Sequence, residues 1–247
     1  MHPILLRFGP IVVPTYGAIV ALGWLAGVSW LVSRRGDMGL SKEDVWDSLY
    51  WVFGGAFVGG KALYFFLNPG AWEWSFNSLR YGAVFYGGFA GSILFGLWYC
   101  RRRGVSFLRL ADYYAAALAL GHGIGRWGCL AAGCCYGKPT ALPWGAALGG
   151  DGASRHPTQV YESLLNFALF GLLVCCALPR VKDGRWRPGS VLACYALGYA
   201  LLRFALEFLR GDDRGAGALG LSPSQWIAAA VAAVAVAALG ALGRRHQ

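Results

Sequence analysis

Seven apolar runs, each close to the length that crosses a bilayer, constrain this chain more than any other feature. A hydrocarbon core of about 30 Å takes roughly 20 helical residues, and runs of that order lie near 12-33, 46-67, 83-100, 111-132, 158-178, 188-209 and 223-243. They predict an all-α membrane protein, a polytopic bundle of seven transmembrane helices forming a single integral membrane domain over 1-247. Three runs open with helix-start chemistry: Pro157, Pro188 and Pro223 stand where a missing N–H costs nothing, and Ser222 can cap the last span.

Composition agrees. Of 247 residues 57% are hydrophobic and only 14% charged, too few charges to cover a water-soluble globule of this size. The net charge of +10 does not point to nucleic acid, because the basic residues sit at span ends rather than on one polar face. Seven cysteines scattered through apolar segments form neither an even-numbered disulfide framework nor paired CxxC zinc spacing, so no metal and no cofactor is expected. Most of them, Cys175 and Cys176 included, are expected to be small packing residues. The opening MHPILLRFGPIVVPTYG lacks a cleavage site leading into a soluble domain and is expected to lead into an uncleaved first span.

Orientation follows from Lys and Arg, which are retained on the cytoplasmic side. Arg34, Arg35 and Lys42 follow the first run; Arg101, Arg102, Arg103 and Arg109 the third; Arg180, Lys182, Arg185 and Arg187 the fifth; Arg244 and Arg245 the last. These thirteen of the 22 basic residues place the N-terminus outside and the C-terminus in the cytoplasm. Gly55/Gly59, Gly87/Gly91 and Gly121/Gly125 have the four-residue spacing that lets helices approach closely in lipid.

Once the cytoplasmic charges are set aside, the remaining polar residues are ones a bilayer rejects unless they are used. Arg126 stands in GHGIGRWGC near the outer end of the fourth run, and Arg203 lies deep in the sixth within YALLRFALEFLR. Each costs roughly 2.5 kcal/mol or more at mid-membrane, so function is the default expectation and a structural ion pair the alternative. Tyr199, Arg203 and Glu207 follow at i, i+4, i+8 with Arg210 three further on, all on one helix face, and His122 shares a face with Arg126. The planar, permanently charged fork of Arg suits phosphate. Two such groups near the outer leaflet therefore suggest a phospholipid headgroup. The segment RHPTQVYE adds Arg155, His156, Gln159, Tyr161 and Glu162, with Lys138 nearby and a helix start at Pro157 that favours anions. GCLAAGCCYG brings Cys129, Cys134 and Cys135 to the same region. Packing, a redox pair or an activated thiolate are all open readings for these three.

In these motifs the chain resembles the prolipoprotein diacylglyceryl transferase family. The matching pieces run in order from Tyr16 to Gln225: the Tyr-Gly of PTYG, VGGKALYFF, YGGFAG, GHGIGRWGCLAAGCCYG, RHPTQVYE and YALLRFALEFLR. The resemblance implies a seven-span enzyme of the bacterial inner membrane whose active site opens to the outer leaflet. Such an enzyme moves the diacylglyceryl group of phosphatidylglycerol onto the lipobox cysteine of a preprolipoprotein and releases glycerol phosphate. Its partners are phosphatidylglycerol, lipobox peptides and membrane lipids, not nucleic acid. By motif position Arg126 and Arg203 match essential arginines, while Tyr16, Gly137, Tyr199 and Glu207 match other functional positions. Tyr86, Gly87 and Gly88 of YGGFAG, with Arg155, His156, Glu162 and Arg210, complete the expected substrate site.

The chain departs from the family pattern at three positions. Cys129 and Cys134 stand where the signature commonly carries Asn and Glu, and Tyr86 where it often carries His. A Tyr of ordinary pKa near ~10 is a poor base at neutral pH. Either His122, on the Arg126 face, is therefore expected to take the thiol proton, or the thiol ionises unaided near the arginines. Ala131-Ala132-Gly133-Cys134 also resembles the end of a lipobox, which makes Cys134 a candidate substrate mimic. Three other functions stay open: a family member with another lipid donor or acceptor, a thiol–disulfide oxidoreductase, and a phospholipid transporter or binding protein.

Overall fold

The structure is a computed structural model that describes residues 4–9, 11–71, 82–148, 150, 152–211 and 219–244; Arg245 of the basic C-terminus lies outside them. Strands β1 (Ile4–Phe8) and β2 (Ile11–Pro14) pair as an antiparallel hairpin whose turn contains Gly9 at φ +55°. The first helix starts later than the apolar run suggested, since Val12–Pro14 are paired strand. Pro14 accounts for this, because a residue before proline is pushed out of the helical region. Eight helices follow among the described residues: α1 (Thr15–Ser33), the short α2 (Arg35–Met38), α3 (Lys42–Leu67), α4 (Phe85–Arg103), α5 (Phe107–Ala132), α6 (Thr158–Lys182), α7 (Ser190–Glu207) and α8 (Pro223–Arg244).

Seven of these helices match the seven expected runs within a few residues. Five meet the length and apolarity of a membrane span: α1, α3, α6, α7 and, over Pro223–Gly243, α8. The remaining two are long enough, at 19 and 26 residues, but α4 ends in Arg101, Arg102 and Arg103, and α5 carries Arg109, Asp112, His122 and Arg126. Large apolar side chains face outward along the helices, among them Leu172, Leu201 and Val234. That surface suits a lipid solvent and would be a liability in water. The protein is a mostly helical, multi-pass membrane protein.

The chain divides into two compact units, Val32–Leu110 and the remainder, Met1–Leu31 with Ala111–Gln247. Within Val32–Leu110, α3 opens with a capping box: the Asp44 N–H donates to Ser41 Oγ at 3.0 Å and the Ser41 N–H to Asp44 Oδ2 at 3.1 Å. The four glycines Gly55, Gly59, Gly87 and Gly91 bring α3 and α4 together, and a Cβ on any of them would collide with the facing helix backbone. Arg103 at the end of α4 pairs with Asp44 at 3.5 Å and Asp47 at 2.5 Å.

Within the other unit, Gly23 and Gly27 of α1 pack on the Gly121 and Ala117 carbonyls of α5, while nothing lies within 4 Å of a Cβ placed on Gly125. The Gly121/Gly125 pair is therefore half used. Ser163 Oγ of α6 donates to the Gly123 carbonyl of α5 at 2.7 Å. Helix α6 widens into one π-turn at Leu173–Ala177, four residues ahead of the Pro179 ring, which would otherwise meet the Cys175 carbonyl. Cys175 and Cys176 there are exposed, so the expectation that they pack inside is corrected, whereas Cys100 is buried as expected. Helix α7 begins after Gly189 at φ +99°, and fully buried Asp112 of α5 caps it from outside, accepting from the Gly189 and Leu192 N–H groups at 2.7 and 2.8 Å.

Candidate functional site

At one end of the larger unit the C-terminal turns of α5 and α7 meet the N-terminal turns of α1, α6 and α8, and the polar residues collect there. Arg126 Nη2 of α5 pairs with Glu162 Oε1 of α6 at 2.6 Å, and Glu162 is 1% exposed. The same carboxylate oxygen accepts from the Tyr199 hydroxyl of α7 at 3.4 Å and lies 3.7 Å from His122 Nε2. The His122 and Tyr199 rings lean together with centroids 5.0 Å apart. At 3.7 Å the imidazole lies beside the carboxylate without a hydrogen bond to it.

One turn along α7, Arg203 Nη2 pairs with Glu207 Oε2 at 2.8 Å, both side chains being largely buried. Glu207 Oε1 accepts from Ser222 Oγ at 2.8 Å, and Arg203 Nη2 reaches Ser224 Oγ at 3.4 Å. Both serines belong to the start of α8, which Ser222 caps with Gln225: the Gln225 N–H donates to Ser222 Oγ and the Ser222 N–H to Gln225 Oε1. Each buried arginine is thus neutralised by one carboxylate and still holds a buried donor, Nε in Arg126 and Nη1 in Arg203, without a hydrogen-bond partner. Both guanidiniums lie near enough to act on His122 and Tyr199, so the two ion pairs border one polar region. Tyr16, at the first turn of α1, lies against Gly128, where a Cβ would sit 3.2 Å from its ring.

The loop from α5 to α6 closes this end. The Gly137 N–H donates to the His156 carbonyl at 2.9 Å, the Lys138 N–H to the Leu209 carbonyl at 2.8 Å, and Gly137 bridges Arg210. Gly137 has no room for a side chain: a Cβ would meet the His156 Cβ at 2.6 Å and the Leu209 carbonyl at 2.7 Å. Arg155 lies over the Tyr136 ring at 5.0 Å, and the Tyr161 hydroxyl accepts from Trp144 Nε1 at 2.8 Å and contacts His156 Nδ1 at 3.3 Å. Arg155, His156, Gly137 and Arg210 therefore all lie in or beside this loop's framework. Tyr86, Gly87 and Gly88 belong to the other unit, at the start of α4; Tyr86 is exposed, Gly87 packs on Gly59 and Leu63, and Gly88 packs on Ala56.

Cys129, Cys134 and Cys135 gather, their three sulfurs lying within 4.8 Å of one another. Arg126 Nη1 lies 3.8 Å from Cys129 Sγ. Hydrogen bonding from the Cys129 thiol, helped by Arg210 and opposed by burial, draws the Cys135 thiol down to about 4, whereas burial raises Cys134. Two α6 side chains hold the cysteine loop, Thr158 and Gln159; Gln159 was expected near the site from RHPTQVYE, whereas Asp112, Thr158, Ser222 and Ser224 were not singled out as site residues from the sequence. Asp112 carried a usable signal, a lone acid inside an apolar run; the hydroxyls carried none.

The sequence profile of the family described as prolipoprotein diacylglyceryl transferase matches residues 3–241. Among similar proteins, the phosphatidylglycerol–prolipoprotein diacylglyceryl transferase of Clostridium tetani is 34% identical over 239 residues, covering 92% of each chain. The protein of the same name from Bordetella avium is 34% identical over 241 residues, 91% of this chain and 88% of its own, and that from Finegoldia magna 33% over 228 residues, 89% of this chain and 88% of its own. The chain belongs to the prolipoprotein diacylglyceryl transferase family. The site thus sets two buried ion pairs, Arg126 with Glu162 and Arg203 with Glu207, beside three thiols.

Proposed function

We propose that this protein transfers the diacylglyceryl group of phosphatidylglycerol to the lipobox cysteine thiol of prolipoproteins, with release of glycerol phosphate. The observation that carries this reading is the pair of buried arginines, each balanced by one carboxylate and each keeping a buried free donor. In a region of low dielectric such a donor needs an acceptor, and a phosphodiester offers several that a guanidinium fork fits. The names of the similar proteins supply the identity of that anion.

In this reading Arg126 and Arg203 hold the phosphate and stabilise the charge that builds on it as the glyceryl carbon–oxygen bond breaks. Glu162 and Glu207 fix the two guanidiniums, Tyr199 holds Glu162 with His122 beside it, and Tyr16 donates to headgroup oxygens. Arg155, His156, Gly137 and Arg210 shape the loop that the acceptor peptide meets. The setting is the bacterial inner membrane: seven spans in one membrane domain, N-terminus outside, C-terminus cytoplasmic, site toward the outer leaflet. The distribution of Lys and Arg supports this orientation, and the site gathers at the helix ends opposite the basic ones.

Purified full-length protein in phosphatidylglycerol vesicles is expected to convert a lipobox peptide to its thioether-linked diacylglyceryl form. Arg126→Ala and Arg203→Ala are expected to lower the rate by about a hundredfold or more with helical content unchanged. Lipid binding without a covalent product would instead identify a transporter or binding protein.

A further inference from the structure

The transferase reading leaves one chemical need unmet: the acceptor thiol must be ionised, and His122, the nearby imidazole, is turned toward Glu162. What the site offers instead is sulfur. At the end of α5 the chain folds back through Gly133 and Cys135, both at positive φ (+69° and +65°), with the Gly133 and Cys134 N–H groups bonded to the Leu130 and Cys129 carbonyls. A non-glycine residue in the left-handed region persists only where its surroundings hold it. Here α6 holds it, with Gln159 Nε2 donating to the Cys134 carbonyl at 2.6 Å and Thr158 Oγ1 to the Cys135 carbonyl at 2.7 Å. The backbone is thus pinned by groups other than the thiols, and it brings three sulfurs within 4.8 Å of one another.

We propose that Cys129, Cys134 and Cys135 bind a zinc ion as three thiolates, and that the fourth position on the ion takes the acceptor cysteine of the transfer reaction. This rests on the transferase reading. Zinc–sulfur bonds of ~2.3 Å in a tetrahedron set sulfurs about 3.8 Å apart, so closing the present cluster takes side-chain movements of about 1 Å. Three protein ligands and one open position are the arrangement of a catalytic rather than a structural zinc. Cys134 is exposed, which leaves the cluster approachable. Four thiolates on a divalent ion carry a net negative charge, and Arg126 beside Cys129 and Arg210 bonded to Cys135 balance it. The lack of paired CxxC spacing argued against a metal; the fold supplies the proximity that the spacing does not.

The step balances. On coordination the acceptor thiol releases its proton to water and becomes a metal-bound thiolate. A sulfur lone pair forms the new bond to the glyceryl carbon while the carbon–oxygen bond breaks, its electron pair leaving on the phosphate oxygen held by the arginines. The neutral thioether is a weak ligand and departs, the zinc stays divalent, and nothing is oxidised or reduced.

The test uses full-length protein in detergent under reducing conditions, with Co2+ as the spectroscopic probe and zinc content measured separately. The expected result is about one ion per chain, with sulfur-to-cobalt charge-transfer absorption that shifts on addition of a lipobox peptide and not of its Cys→Ser form. Cys134→Ser is expected to lose the absorption. Stripping zinc is expected to lower transfer by about a hundredfold, with recovery on adding zinc back. Folded wild-type protein without cobalt–sulfur absorption would overturn the proposal, as would wild-type transfer rates in metal-free protein or in the triple Cys→Ser variant; the transferase reading would survive those two rate results. Cobalt bound and responsive to peptide, with no lipid ever transferred, would sink the transferase reading instead and leave the thiol-binding site standing.

Discussion

Glu162 shows how much one side chain can carry when its partners come from different helices. A single oxygen of this buried carboxylate meets Arg126, His122 and Tyr199. Glu162→Gln keeps the shape and removes the charge, leaving a guanidinium buried without a counter-ion, a change worth ~3–5 kcal/mol when a buried pair is broken. The variant is expected to show a lowered unfolding temperature in detergent together with weaker phosphatidylglycerol transfer; unchanged stability would show that water already screens the pair. Arg126 and Arg203 were legible in the sequence because a charge inside an apolar run stands out. The central position of Glu162 was not, since RHPTQVYE shows a carboxylate without showing what faces it. His122 was read correctly as sharing a face with Arg126, but which way its nitrogen points depends on α6, which no spacing within α5 reveals.

Helix contacts here depend on small residues and on caps supplied from elsewhere. Gly59→Leu would drive a side chain into the Gly87 backbone of α4, whereas Gly125→Leu meets open space. The first is expected to lower thermal stability by ~1–3 kcal/mol or abolish folding, the second to be nearly neutral, as differential scanning of the purified variants would read. Both pairs share the same four-residue spacing, which therefore marks a possible contact without saying which glycine is used. Asp112 makes the companion case. Asp112→Ala removes the cap of α7 and is expected to cost ~1–2 kcal/mol, with Asn restoring part of it through one remaining acceptor. Equal melting temperatures for the wild-type protein and the Asp112→Ala variant would show that the N–H groups find water instead.

For the molecule as a whole, the distribution of basic residues makes the sharpest prediction. In the proposed orientation a cysteine introduced at Gly150, between α5 and α6, is expected to react with a membrane-impermeant maleimide in intact cells, and one at Arg185, between α6 and α7, only after permeabilisation. The reverse pattern would invert the topology. The apolar runs determined the helices by themselves, because a segment of that length and apolarity leaves the backbone few alternatives in lipid. Two of them, α4 with charge at its end and α5 with charge along its length, are the ones whose apolarity falls short, and α5 contributes Arg126 to the site. The sequence by itself also determined the two arginines and the face of α7 shared by Tyr199, Arg203 and Glu207, since both follow from composition and helical period, whereas Arg210, expected on that face too, falls past the helix end in a bridge to Gly137. Only the tertiary structure decided that α6 supplies the hub carboxylate, that the start of α8 holds Glu207, and that three cysteines with no metal-like spacing meet within 4.8 Å. Those contacts join residues up to tens of positions apart, and only the packing of one helix against another sets their distance.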